Sequence, residues 1–285
     1  MNARLLFLLL LLVPAVAVAG PGAKKKKKAK EPADSAVPAV PDGRAEAKAT
    51  FDKMVETSNA FQAETWDLYS PTSVLKTRRV LSDGTEKEQT FAVAMVRQMV
   101  PQLMAAAKLI DDRARYENIV LTADGEKWRV SADRYSTVKC RMDKEFYAVI
   151  GKGEHGSWLI EEEFGVTSGE SLCPANPEEA RRVLGALRDS LLPMLPLEVD
   201  SDTRLDSVAV DDLVMTYSYT LPTTPSSDPQ NAEITEVVEK VVMKQACGMP
   251  SLKHALHHGG SARFIYQTSD SKPFLDKVYA KADCE

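Results

Sequence analysis

Three of the chain's four histidines fall together, at His254, His257 and His258. On a helix these positions, i, i+3 and i+4, share one face and could present imidazole nitrogens to a metal ion. A metal site needs a further ligand and a set of groups that orient the first ones, and the surrounding sequence offers neither. The alternative is an exposed polar helix end closed by Gly259-Gly260, and on that reading no metal and no cofactor is expected. Nucleophile and phosphate-loop chemistry has no carrier either, since Gly-x-Ser-x-Gly, GxGxxG and Walker-type loops do not occur. The acidic pairs Asp111-Asp112 and Asp211-Asp212 sit at expected turns, where water solvates them.

A more informative pair comes from strand parity. Side chains alternate between faces along a strand. In Ser157–Phe164, Trp158, Ile160 and Phe164 share a face, and Glu162 falls on it. In Glu126–Cys140, Trp128, Val130, Ala132 and Val138 share a face, and Arg134 falls on it. A lone charge among apolar neighbours must be paired or open to a cavity. If both faces are concave, Arg134 and Glu162 meet inside, with Trp128, Trp158 and Tyr147 near the walls or rim. Such a site would anchor a polar ligand or tune a carboxylate. The alternative is a structural pair, or a bulge that turns one of the side chains to solvent.

The elements that would position these residues begin with a helix over about Ala45–Leu68, with Phe51, Met54, Val55, Phe61 and Trp66 among its apolar positions. A strand over Val74–Leu81 ends at the turn Ser82-Asp83-Gly84. A second helical stretch covers Phe91–Ile110, and Pro101 should kink or split it. Strands over Tyr116–Leu121, Glu126–Cys140, Glu145–Gly151 and Ser157–Phe164 come next, joined by short polar or glycine-containing connections of the hairpin kind. This order, together with Thr65-Trp66-Asp67-Leu68-Tyr69-Ser70-Pro71, Lys127-Trp128-Arg129-Val130 and Ser157-Trp158-Leu159-Ile160, resembles the nuclear transport factor 2 superfamily, including SnoaL-like domains. The resemblance covers about residues 44–172. It implies a cone: a curved antiparallel sheet wrapped around helices, with a pocket. Because that superfamily mixes isomerases, cyclases and dehydratases with non-enzymatic binders, the fold does not select an activity.

A second, small α-β-β-α-β-β domain is expected over 175–285, which makes the fold class α+β. Asn176-Pro177-Glu178-Glu179 is a helix start, with an N-cap Asn, Pro in the first turn and Glu after it. Ala180, Val183, Leu184, Leu187 and Leu191 give that helix its apolar stripe. A hairpin over Arg204–Val210 and Leu213–Leu221 turns at Asp211-Asp212. An amphipathic helix comes after it, marked by Ile234, Val237, Val238, Val241 and Val242, and two strands, Ala262–Thr268 and Phe274–Ala282, finish the chain.

The N-terminus addresses the compartment. Arg4, the apolar run Leu5–Val13, Pro14 and the small residues Ala17-Val18-Ala19 form a secretory signal peptide over 1–19, with cleavage expected after Ala19. The run is far short of the ~20 apolar residues of a membrane span. No Cys follows it to carry a lipid, and no Asn-x-Ser/Thr sequon occurs, which points to a bacterial periplasmic or secreted protein. Four cysteines suit that compartment. Two fall in each expected domain, so of the three pairings we expect Cys140–Cys173 and Cys247–Cys284.

The 285-residue chain carries a net charge of −5. Loss of Arg4 with the signal peptide takes this to −6, and setting aside Lys24, Lys25, Lys26, Lys27, Lys28 and Lys30 takes the remainder to −12. An acidic body excludes a nucleic-acid face. The lysines lie in residues 20–43, a Lys-, Pro- and Ala-rich linker expected to be disordered. They could attach the protein electrostatically to an anionic envelope surface, or simply solvate a linker. The resulting expectation is an exported, non-catalytic binding or interaction protein of the bacterial cell envelope, its ligand or partner and oligomeric state unspecified. The alternative is a small-molecule lyase, cyclase or isomerase using the cone pocket.

Overall fold

The computed structural model describes residues 43–81, 83–168 and 171–284. The expected signal peptide, and the expected linker apart from Gly43, lie outside the described residues, as does Ser82. Among the described residues no helix is long and apolar enough to cross a membrane.

Among the described residues the chain is α+β and builds two sheets, each with its own core. The first core forms around helix α1 (Arg44–Asn59), which places Ala47, Phe51 and Met54 on one face at helical spacing. The helix stops well short of the expected Leu68. Asn59 turns its amide to the backbone of Ala114, donating to its carbonyl and accepting from its N–H, both at 2.9 Å. Phe61 then takes a left-handed conformation, φ 56°, a common way to end a helix. A 3₁₀ turn over Ala63–Leu68 leads into strand β1 (Tyr69–Val80).

The stretch expected to be helical from Phe91 divides. Its first residues belong to β2 (Glu86–Ala92), which pairs antiparallel with β1, Leu75 opposite Phe91. Helix α2 (Val93–Arg97) follows, and α3 (Val100–Leu109) restarts with Pro101 in its first turn, where a missing N–H costs nothing. Strands β3 (Ala114–Asp124), β4 (Lys127–Ser136), β5 (Arg141–Asp143), β6 (Tyr147–Lys152) and β7 (Trp158–Ser168) complete a seven-stranded sheet ordered β2-β1-β7-β6-β4-β3, with β5 on β4. Its pairs are antiparallel except that β1 runs parallel to β7. The sheet wraps α1 as a cone, and Phe51 packs against Tyr116 and Phe146 within it.

The second core lies between a five-stranded sheet and three helices. Helix α4 (Pro177–Leu191) starts as its sequence dictates, the Asn176 side chain accepting from the Glu178 N–H, and buries Ala180, Val183, Leu184 and Leu187. The strands β8 (Leu197–Glu198), β9 (Arg204–Asp211), β10 (Val214–Leu221), β11 (Ser261–Thr268) and β12 (Pro273–Tyr279) lie in the order β12-β11-β10-β9-β8. The connection from β10 to its parallel neighbour β11 runs through α5 (Asn231–Gly248) and α6 (Pro250–His257). Strand β8 and the division of the last helical region into α5 and α6 are additions to the expected α-β-β-α-β-β order. Met215, Tyr217 and Leu221 on β10 share the inner face, as the alternation requires.

Cys140 is joined to Cys173 and Cys247 to Cys284, with Cα atoms 4.9 and 5.3 Å apart. The first tie holds the segment that passes from one sheet to the other. Ile110 and Val138, carried by the first sheet's connections, reach into the second core.

Candidate functional site

Arg134 projects from β4 into the cone, as parity requires. Its Nη2 donates to Asp143 Oδ2 at 3.1 Å, its Nη1 lies 4.0 Å from Glu163 Oε1, and its guanidinium sits 4.9 Å from the centre of the Phe146 ring. Asp143 also accepts the backbone N–H groups of Glu145 at 2.9 Å and Val166 at 2.8 Å. Tyr69 donates its hydroxyl to Glu163 Oε2. Burial and the neighbouring Glu163 carboxylate push the Tyr69 and Tyr116 hydroxyls well above their ordinary pKa. Burial works against the Arg134 charge, but Tyr116, Glu163 and Asp143 together hold its pKa up. One cation is thus matched by two carboxylates, with two neutral phenols beside them.

Glu162, the expected partner of Arg134, is not there. Between β6 and β7 the register slips: Ile150 stands opposite Ile160, but Val149 stands opposite Glu162. Glu161 is the extra residue of a β-bulge, and beyond it every side chain changes face. Ile160 and Glu163 therefore point inward, and Glu162 and Phe164 outward. On the outer face Glu162 binds Lys76 at 2.7 Å and accepts the Tyr147 hydroxyl at 2.6 Å. Burial raises the Glu162 pKa, but these two bonds outweigh it, so its carboxyl titrates below the usual range. Tyr147 stacks on Phe164, with the Arg129 guanidinium 3.8 Å from its ring centre. Tyr147 is thus a residue of the outer face and not of the cone wall.

Trp128 is buried in the cone core. Trp158 closes the cone's end over Gly43, where φ is 96° and a Cβ would stand 1.7 Å from the indole. Phe51, Met54 and Ala47 of α1 lie in one buried cluster with Trp128, Val130, Ala148, Ile150 and Ile160, and Trp158 packs against it.

Three inward residues escape the strand-parity reading: Glu163, Asp143 and Gly165. The last carried a signal. A glycine inside a strand often marks close backbone approach, and here a Cβ on Gly165 would lie 2.4 Å from Arg134 Nη2.

Two openings lie on the surface. One groove of about 670 Å³ has Ile119, Val120 and Leu121 of β3 as its floor and Arg44 and Lys48 of α1 at its rim. A crevice of about 350 Å³ lies where the two sheets' elements meet, between Lys108, Asp111 and Val138 on one side and Asn176, Arg182 and His254 on the other.

The histidine cluster stands beside that crevice, and it is not an exposed helix end: His254 and His258 are buried. His254 Nε2 lies 3.0 Å from Glu179 Oε1. His257 Nε2 donates to the Cys173 carbonyl at 2.8 Å, and His258 Nδ1 accepts the Asn176 N–H at 3.2 Å. All three imidazoles are committed to α4 or to the segment that enters it. Among the described residues no group of three or more His, Cys, Asp or Glu side chains is placed to hold a metal ion. Burial lowers the pKa of His254, and burial with two imidazole neighbours lowers that of His258 to about 4.

No family model matches the chain, and no curated protein matches it. Among solved structures it is similar over part of its length to the type II secretion system pilotin AspS of Vibrio cholerae, at 17% identity and a TM-score of 0.32, covering 38% of this chain and 94% of that one. It is also similar to an NTF2-like protein of Cytophaga hutchinsonii, at 9% identity and a TM-score of 0.32, covering 44% of this chain and 98% of that one. A third likeness is to a protein of unknown function with a cystatin-like fold from Methylobium petroleophilum, at 12% identity and a TM-score of 0.32, covering 44% and 77%. These are likenesses of fold at low identity, and they carry nothing about activity or partners.

Proposed function

We propose that this chain is an exported binding or interaction protein of the bacterial cell envelope that engages its ligand or partner through its outer surface and does no chemistry in the cone. What supports this reading is the packing of the concave face: Phe51 and Met54 of α1 lie in one buried cluster with the inward residues of β4, β6 and β7. The lyase, cyclase or isomerase alternative needed Arg134 and Glu162 in one cavity, and the bulge at Glu161 puts them on opposite faces. Two disulfides support an oxidising compartment. The lysine run Lys24–Lys28 with Lys30 would add attachment to an anionic surface, at ~1 kcal/mol per lysine.

The test is to recover the tagged full chain from its source's envelope fraction and weigh it by native mass spectrometry. A bound species of defined mass is expected. A bare chain under every mild extraction condition would contradict the reading.

A further inference from the structure

Helix α5 packs against the second core through Val242 and Ala246 alone among its fully buried residues. Val238 packs partly buried beside them, and Val237, Val241 and Met243 face out. Val237 is 61% exposed, Val241 49% and Met243 43%. Val237 and Val241 are one turn apart and form a short apolar ridge along the solvent side. The charges that rim it are sorted along the helix. Glu233 and Glu236 flank its N-terminal half, and Lys240 and Lys244 its C-terminal half, all four exposed. Glu236 and Lys240 pair with each other within the helix. A third glutamate, Glu239, is drawn off the ridge to Lys277 of β12 at 2.9 Å.

This sorting makes the surface complementary to itself in one orientation only. Two copies laid antiparallel about a two-fold axis between Val237 and Val241 bring each valine against the other of its mate. They also set Glu233 and Glu236 of one copy beside Lys244 and Lys240 of the other. A parallel arrangement would oppose like charges. A two-fold interface must be self-complementary in this sense, and flanking charges set the orientation of paired helices. We infer that α5 is a self-association surface, pairing antiparallel with α5 of a second copy of this chain through Val237 and Val241. The 18-residue helix is about 27 Å long, so the contact is smaller than a standard interface and the dimer is weak. This inference does not rest on the binding reading above: a strictly monomeric protein could still carry a ligand in the envelope, and a dimer could carry none.

The test is sedimentation velocity of the mature full chain over a concentration series, with thermal melting to show that each variant is folded. The parent is expected to move from monomer to dimer as concentration rises, and Val237→Asp to stay monomeric. The charge-reversed variants Glu233→Lys/Glu236→Lys and Lys240→Glu/Lys244→Glu are each expected to be monomeric alone and to form a one-to-one dimer when mixed. A parent that is monomeric throughout overturns the inference. So does a dimer that survives Val237→Asp, or a mixture of the two charge-reversed variants that fails to associate.

Discussion

Arg134 is the residue on which the interior turns. Its charge is held by Asp143 and Glu163, with the Tyr69 and Tyr116 phenols beside them, in a core otherwise built of apolar side chains. Breaking a buried pair from one side leaves an uncompensated charge, at a cost of about 3 kcal/mol. Arg134→Met should lower stability by that amount in urea unfolding. Glu162→Gln, on the outer face with Lys76 41% exposed beside it, should change it by less than about 1 kcal/mol. Equal costs would contradict the bulge at Glu161. Gly165→Ala gives a second test of the same packing, because the new Cβ must displace the Arg134 guanidinium. Forcing an extra group into a packed site costs about 1–3 kcal/mol, and a melting temperature equal to that of the parent would refute the close approach. Arg134 was legible in the sequence because β4 alternates without interruption. Glu163 was not, because three successive glutamates leave parity to be settled by a bulge, and a bulge depends on the neighbouring strand's register.

At the scale of elements, the sequence was clearest where local chemistry decides. The N-cap Asn176 and Pro177 begin α4, and the hairpin turns at Asp211-Asp212, where Asp212 adopts φ 50°. The sequence was least clear where tertiary contact decides. Phe91 keeps helical spacing with the apolar residues of α2, yet β1 claims it for a sheet edge. The helix bearing the histidines was readable as a helix, but its burial was not, because the groups that cover His254 and His258 come from α4 and from the segment before it. That burial has a pH consequence. The His258 pKa of about 4 in the folded chain lies below the ~6.5 of an unfolded chain. Between these values the unfolded chain takes up a proton that the folded chain refuses, so stability falls as pH drops from about 6.5 towards 4 and levels off below. His254 shifts the same way, while Glu179 and Arg182 on α4 and Asp112 before β3 add their fields around it. Each site contributes a slope of up to ~1.4 kcal/mol per pH unit. His258→Gln should flatten the melting-temperature profile across that window, and an unchanged profile would show that His258 titrates normally.

Among the described residues two sheets follow one another along the chain, tied by Cys140–Cys173 and by the histidines that bind the passing segment at Cys173 and Asn176. Phe51 and Met54 pack inside the first core, and the groove beside α1 and the crevice between the sheets open on the outside. On the function proposed above, binding is an affair of the surface. Native mass spectrometry of folded variants of the two kinds, recovered from the envelope fraction, tests this through whether each retains the bound species expected for the parent. Glu163→Gln, which alters the cone's charge at constant volume, should keep it. Val120→Asp in the groove beside α1, or Lys108→Glu at the crevice between the sheets, should lose it. Loss from Glu163→Gln while that variant remains folded, with both surface variants still loaded, would contradict this reading and place the site in the cone.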